Sequence, residues 1–128
     1  LLYRESGLLG VSGVSSDPRL LLATEATNPR SKMALYLYLR RIVREIGALV
    51  AVLGGLDLLV FTAGNGEHNA FLRERICRDL GFLGIALDEA ANNRHAATIS
   101  TPSSRVRVAV EPTNEEWIAA RHAQVLLR

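Results

Sequence analysis

The tightest constraint in the sequence is one short run, Asp57-Leu58-Leu59-Val60-Phe61-Thr62, followed at once by Ala63-Gly64-Asn65-Gly66-Glu67-His68-Asn69. The run is nearly continuous in apolar residues and too short for a helix. Its β-branched and aromatic content predicts a strand buried on both faces, as in a parallel sheet. A helix is expected after the glycines, with Phe71, Leu72, Ile76 and Leu80 on its inner side. Strand, glycine segment and helix make the first half of a crossover unit. That order of elements places the chain in the α/β class.

The remaining segments fit around this unit. Leu1 to Ser15 is rich in Gly and Ser and reads as loop and short strand. Ser16-Asp17-Pro18 and Asn28-Pro29 are helix starts, each with a capping side chain and Pro at the first helical position. After the second start, Leu35, Leu39, Ile42, Ile46, Leu49 and Leu53 fall on one helical stripe, which predicts a core-facing helix. The extra apolar positions Tyr36, Val43 and Val50 leave room for a subunit contact. Gly54-Gly55 ends this helix. Phe82 to Leu87 reads as short strand or connection, and Asp88 to Asn92 as one helical turn. Ala97 to Ser100 reads as a strand. Val106, Val108 and Val110 alternate with Arg105, Arg107 and Ala109, the pattern of a half-buried strand. A last helix opens at Pro112 and carries Trp117, Ile118, Ala120, Arg121 and Leu126. No repeat or linker divides the chain, so a single domain is expected.

Composition narrows the function. The chain has 128 residues, 48% hydrophobic and 22% charged, which excludes disorder and fibrous repeats. No apolar stretch approaches the roughly 20 residues that a membrane helix needs, so no membrane role is expected. The net charge is only +2. Arg40-Arg41-Arg44 and Arg73-Arg75-Arg78 are interleaved with acids and read as solvated helix faces rather than a nucleic-acid patch. Cys77 is the lone cysteine. It excludes an internal disulfide, fits a reducing, cytoplasmic setting, and reads as a small core residue. The chain starts at Leu1 without Met, which suggests a piece of a longer protein.

Three polar groups of residues sit at element boundaries, where sites are commonly built. The first is Gly64-Asn65-Gly66-Glu67-His68. Its glycines either let a ligand approach the backbone, before a helix N-terminus that attracts phosphate, or simply serve a tight turn. It is neither a Walker A loop nor a dinucleotide fingerprint. The second is Asp17-Pro18-Arg19. Its spacing favours an N-cap Asp with an Arg on the first turn. The alternative is an Asp that accepts from a ribose hydroxyl, beside an Arg that stacks on a base. The third is Thr113-Asn114-Glu115-Glu116. Thr113 and Glu116 match a capping box. Glu115 is left over, either to complement the helix dipole or to hold a hydrated Mg²⁺. His68, His95 and His122 lack the spacing of a metal set.

These stretches, taken in order, resemble the C-terminal part of the acetate kinase family. Glu5 to Arg19 resembles that family's SGLLGxSGxSxDxR stretch. Gly54 to Glu67 resembles GLDxxVFTAGIGEN. Phe82 to Ile85 with Asp88 resembles FLGIxLD, while Ile99-Ser100-Thr101 and Pro112 to Glu116 match IST and PTNEE. The likeness runs over essentially the whole chain.

The resemblance implies an α/β fold, part of a ribonuclease-H-like ATPase domain in the superfamily of acetate and sugar kinases, actin and the heat-shock ATPases. Residues 1–128 would then be one C-terminal nucleotide-binding domain of a two-domain kinase about three times as long. It implies transfer of the γ-phosphoryl group of ATP to acetate, giving acetyl phosphate and ADP, with Mg²⁺, in a homodimer joined through this domain. Asp17, Pro18 and Arg19 would line the adenosine pocket, with Gly64, Asn65, Gly66, Glu67 and His68 as its second loop. Glu115 would be the Mg²⁺ carboxylate. Asn65 and His68 depart from the family's Ile and Asn, which leaves adenine packing and nucleotide preference open. The family's catalytic Arg, His and Asp and its phosphate loop lie upstream of this region, so the fragment alone is expected to be inactive. Propionate or butyrate as acceptor, or a non-catalytic nucleotide-binding or dimerisation module, are the alternatives.

Overall fold

The two predicted helix starts form as their chemistry dictates. In the computed structural model, which describes residues 6–113 and 115–126, Asp17 accepts from the Arg19 backbone N–H. Asn28 accepts from Arg30 and Ser31. These caps satisfy N–H groups that a helix's first turn otherwise leaves free. They open α2, Pro18–Thr24, and α3, Pro29–Leu53.

The chain forms two compact units, Leu1–Gly55 and Leu56–Arg128. The first unit is helical. Its first described element is a helix, α1 (Gly7–Ser12), where loop and short strand were expected. Burial explains the difference. Leu8 and Leu22 pack against a core of Leu21, Ala34 and Leu35, and tertiary packing overrides the weak helix propensity of Gly and Ser. Leu21 and Leu35 are fully buried, and each contributes about 1.5–3 kcal/mol. Buried Ser31 meets Thr24 Oγ1 at 2.8 Å, which ties α2 to α3.

The stripe on α3 divides. Leu35 and Leu39 are buried as predicted, but Leu49 and Leu53 are 61% and 72% exposed. The core-facing reading therefore holds only for the N-terminal half. Arg41 and Arg44 pair with Glu45 on the solvated face, as predicted. Gly54 closes the helix with φ at 75°.

The second unit is α/β. Strand β1 (Leu58–Thr62) is followed by α4 (Ala63–His68), α5 (Ala70–Asp79), a short 3-10 turn (Gly81–Leu83) and α6 (Glu89–Asn93). Strand β2 (Arg107–Glu111) and α7 (Glu115–Leu126) complete the unit. β1 and β2 are parallel, in register from Leu58 with Arg107 to Thr62 with Glu111. On the other side of β2, Ile99 and Val110 exchange backbone bonds with Val108 and Ala97. The predicted strand at 97–100 is thus present only as isolated bridges.

Burial in the two strands is the reverse of the expectation. β1, predicted to be covered on both faces, leaves Leu58 and Val60 exposed. β2, predicted to be half-buried, buries Val108, Ala109 and Val110 in succession. β2 has backbone partners on both sides, whereas among the described residues β1 pairs with β2 alone. Strand position, not the strand's own pattern, sets burial here. Among the described residues no helix is long and apolar enough to cross a membrane.

Candidate functional site

Parallel strands deliver their carboxyl ends to the same edge, and ligands of open α/β sheets bind outside that edge. Here β1 ends at Thr62 beside Glu111 of β2. The segments that leave these ends are 63–68 and 112–115, two of the three groups singled out in the sequence. The expected glycine loop is a helical turn, α4. Its first residue, Ala63, has φ at 57°, a left-handed conformation that is costly for a residue with a Cβ. The helix expected after the glycines, α5, starts beyond the segment, capped by Asn69 through the Leu72 N–H.

The two glycines do different things. A Cβ on Gly66 would lie 3.3 Å from the Phe61 carbonyl carbon, so this glycine lets α4 pack onto the strand backbone. Among the described residues, a Cβ on Gly64 would meet nothing within 4 Å. Gly64 is exposed, with helical backbone, and presents a bare main chain outward. Asn65 is half-buried and His68 is exposed.

Glu67 joins the two segments. Its Oε1 accepts from the Thr113 backbone N–H at 2.8 Å and from the Thr113 hydroxyl at 2.9 Å. These bonds, with smaller help from the Ala63 N–H and His68, hold the Glu67 carboxyl below its usual range. The Thr113 N–H that a capping box assigns to Glu116 is thus bonded to Glu67, while the Glu116 side chain lies outside the described residues. The predicted metal carboxylate, Glu115, opens α7, two residues beyond this anchor. Its side chain, like Asn114 before it, lies outside the described residues.

A buried arginine, read in the sequence as part of a solvated face, stands behind α4. Arg73 has no exposed surface. Its Nη1 donates to the carbonyls of Gly66 and Glu67, each at 2.8 Å. Nε and Nη2 donate to the side chain and backbone carbonyls of Asn92, also at 2.8 Å. Nη2 lies 3.1 Å from His95 Nδ1, which itself lies 3.0 Å from the Glu67 carbonyl. Burial lowers the Arg73 pKa, yet a guanidinium stays charged. The sequence did carry a signal. Arg73, Cys77 and Leu80 follow helical spacings of four and three, so Arg73 lies on the inner face with the buried Cys77.

The third group belongs to the first unit. Asp17 caps α2 and also takes Arg19 through three bonds, the shortest 2.7 Å from Nη2 to Oδ2. The bonded Arg19 lowers the Asp17 pKa. Pro18 is buried, while the Arg19 side chain is 74% exposed. The capping reading is therefore correct. The same pairing leaves a flat guanidinium in a fixed orientation on the surface.

The chain as a whole is similar to known proteins. The model of the acetokinase family matches residues 1–121. The acetate kinase of Rhodopseudomonas palustris (strain TIE-1) is 52% identical over 124 residues, 95% of this chain and 31% of that protein. The propionate kinase of Citrobacter rodentium (strain ICC168) is 52% identical over 122 residues, 94% of this chain and 30% of that protein. The crystal structure of acetate kinase from Entamoeba histolytica superposes with a TM-score of 0.88 at 37% identity, over 96% of this chain and 34% of that one. The chain thus spans about a third of the length of the curated relatives it matches. Its α/β fold is that of these kinases, as the resemblance implied. With the glycine turn, the Glu67 anchor and the capped Asp17-Pro18-Arg19 all inside the matched span, the chain belongs to the acetokinase family.

Proposed function

We propose that this chain is the C-terminal, nucleotide-side part of a kinase that transfers the γ-phosphoryl group of ATP to acetate. One observation carries the reading. The turn bearing Gly64 and the segment leading to Glu115 leave adjacent parallel strand ends and are joined by the bonds from Thr113 to Glu67. In this reading Gly64, Asn65, Gly66, Glu67 and His68 form one wall of the adenosine site. Asp17, Pro18 and Arg19, which belong to the other unit, keep the adenosine-binding role that the resemblance implies. An acetate oxygen attacks the γ-phosphorus, the bond to the bridging oxygen breaks, and ADP leaves. The groups that align this step belong upstream of the present residues.

Mg²⁺ typically takes one or two carboxylates plus phosphate oxygens, and when bound it neutralises phosphate charge. Among the described residues no three His, Cys, Asp or Glu converge as a metal set. In this reading Glu115, whose side chain lies outside the described residues, would be the ion's protein ligand. The same reading makes the protein a cytoplasmic homodimer joined through this part of the chain. Sedimentation tests the dimer, and a monomer at every concentration would overturn it.

The intact protein carrying these residues should give an acetate- and ATP-dependent hydroxamate signal for acetyl phosphate. The 128-residue chain alone should give none. No signal from the intact protein with any short carboxylate would refute the kinase reading. ATP binding that persists without turnover would then favour a non-catalytic nucleotide module. Equal identity to an acetate and a propionate kinase supports a second acceptor, which kcat/KM values for acetate, propionate and butyrate would decide.

A further inference from the structure

Arg73 is a fully buried cation that meets three backbone carbonyls, the Asn92 side chain and His95, with no carboxylate among these contacts. A guanidinium has five N–H donors in one plane; here four have oxygen acceptors, and Nη2 also lies 3.1 Å from His95 Nδ1. The charge is offset by where those acceptors lie. Gly66 and Glu67 belong to the last turn of α4, and Asn92 to the last turn of α6. The closing carbonyls of a helix lack internal partners and carry partial negative charge. One guanidinium therefore serves the carbonyl ends of two short helices. Asn92 fixes the fork in turn, since its amide also donates to the Ala70 carbonyl at 2.8 Å.

A helix of six residues is not stable by itself. α4 must be held from outside, and its Glu67 is held at two points. The side chain takes Thr113 at the front, and the carbonyl takes Arg73 behind. We propose that Arg73, braced by Asn92 and His95, is a positioning residue for nucleotide binding. It sets the height and tilt of the Gly64–His68 turn from behind, without touching the ligand. This rests on the kinase reading above.

Lysine keeps the charge but offers three donors at a point instead of a planar fork. In the intact protein, Arg73→Lys should therefore raise the KM for ATP and the Kd for ADP by about tenfold, as misplacement of binding groups does. kcat at saturating ATP, and the KM for acetate, should stay within about twofold, since in this reading the turn holds the adenosine end of the nucleotide and not the transferred phosphoryl group. Amide hydrogen exchange should quicken at 63–68 and not at 107–111. His95→Ala removes, from an exposed position, a ring nitrogen that touches both Arg73 Nη2 and the Glu67 carbonyl. It should give the same pattern at about threefold.

A purely structural role predicts the opposite split, with lower kcat from a smaller folded fraction and an unchanged KM for ATP. That result, or faster exchange at 63–68 with unchanged ADP affinity in both variants, overturns the assignment while leaving the kinase reading intact. An unsubstituted intact protein that neither binds ADP nor forms acetyl phosphate overturns both.

Discussion

Gly64→Ala separates a ligand role for the turn from a structural one, because the two predict opposite signs. Gly64 sits inside α4, its φ is not left-handed, and an added Cβ meets nothing within 4 Å. Alanine in a helix interior is favoured over glycine by about 0.5–1 kcal/mol. Nothing among the described residues offsets this, so stability should be unchanged or higher by that amount. The methyl, however, stands on the outward face where the nucleotide is proposed to rest. A shift of about 1 Å in a bound substrate can cost up to ~100-fold, so kcat/KM for ATP should fall at least about tenfold. That fall corresponds to ~1.4 kcal/mol. Urea denaturation and initial rates on the intact protein measure the two quantities. A stable variant with unchanged kcat/KM for ATP would show that no ligand uses the bare backbone at Gly64. A loss of stability would show instead that its outward side is not open.

Three further outcomes are expected. Gly84 has φ at +88°, and a Cβ there would lie 2.8 Å from Arg105 Cβ. Left-handed strain and overpacking together put Gly84→Ala at about 2–4 kcal/mol of lost stability, and a loss under ~1 kcal/mol in urea titration would contradict that steric account. Burial pushes the Cys77 thiol up to about 12. Iodoacetamide should therefore label it only after unfolding, and rapid labelling of native protein would contradict its burial. Because the folded value is raised, the Cys77 contribution is intact below the unfolded value of 9.0 and fades as pH rises through about 12. Glu67 behaves in the opposite way. Its folded pKa lies below 4.5, so its contribution is full above that pH and disappears as pH falls through the lowered value. Glu67→Gln should flatten this acid limb of stability, and superimposable curves would mean that the charge on Glu67 contributes nothing to the tie with Thr113.

What could be read from the sequence was what neighbouring residues decide among themselves. Asp17-Pro18 and Asn28-Pro29 start helices because cap and first turn are adjacent in the chain. The strand at 58–62 and its parallel pairing followed from a short apolar run that ends in glycines. Burial was less legible, because it depends on what arrives from elsewhere. β1 reads as a covered strand and is not, while Ala109 is buried by partners on both sides of β2. The site divides in the same way. Asp17 as a cap, and the bare Gly64, were visible as local patterns. Glu67 joining Thr113 was not, since the residues meet only when β1 and β2 pair. Arg73 was misread for the same reason. Its partners come from α4, α6 and His95, and an Arg within a run of alternating Arg and acids reads as solvent-facing until they are in place.

The parallel pair also sets an order of events in folding. Leu58 cannot meet Arg107 until everything between them has closed into a loop, and long closures are entropically costly and slow. The fork of Arg73 joins α5 to α6, and the bridge from Leu87 to Ser100 closes a smaller loop beyond it. Each shortens the free chain that remains to be closed. The strand pair, and with it the meeting of Glu67 and Thr113, should therefore form late, after these nearer contacts. Weakening Arg73 or Asn92 should then slow refolding more than it speeds unfolding.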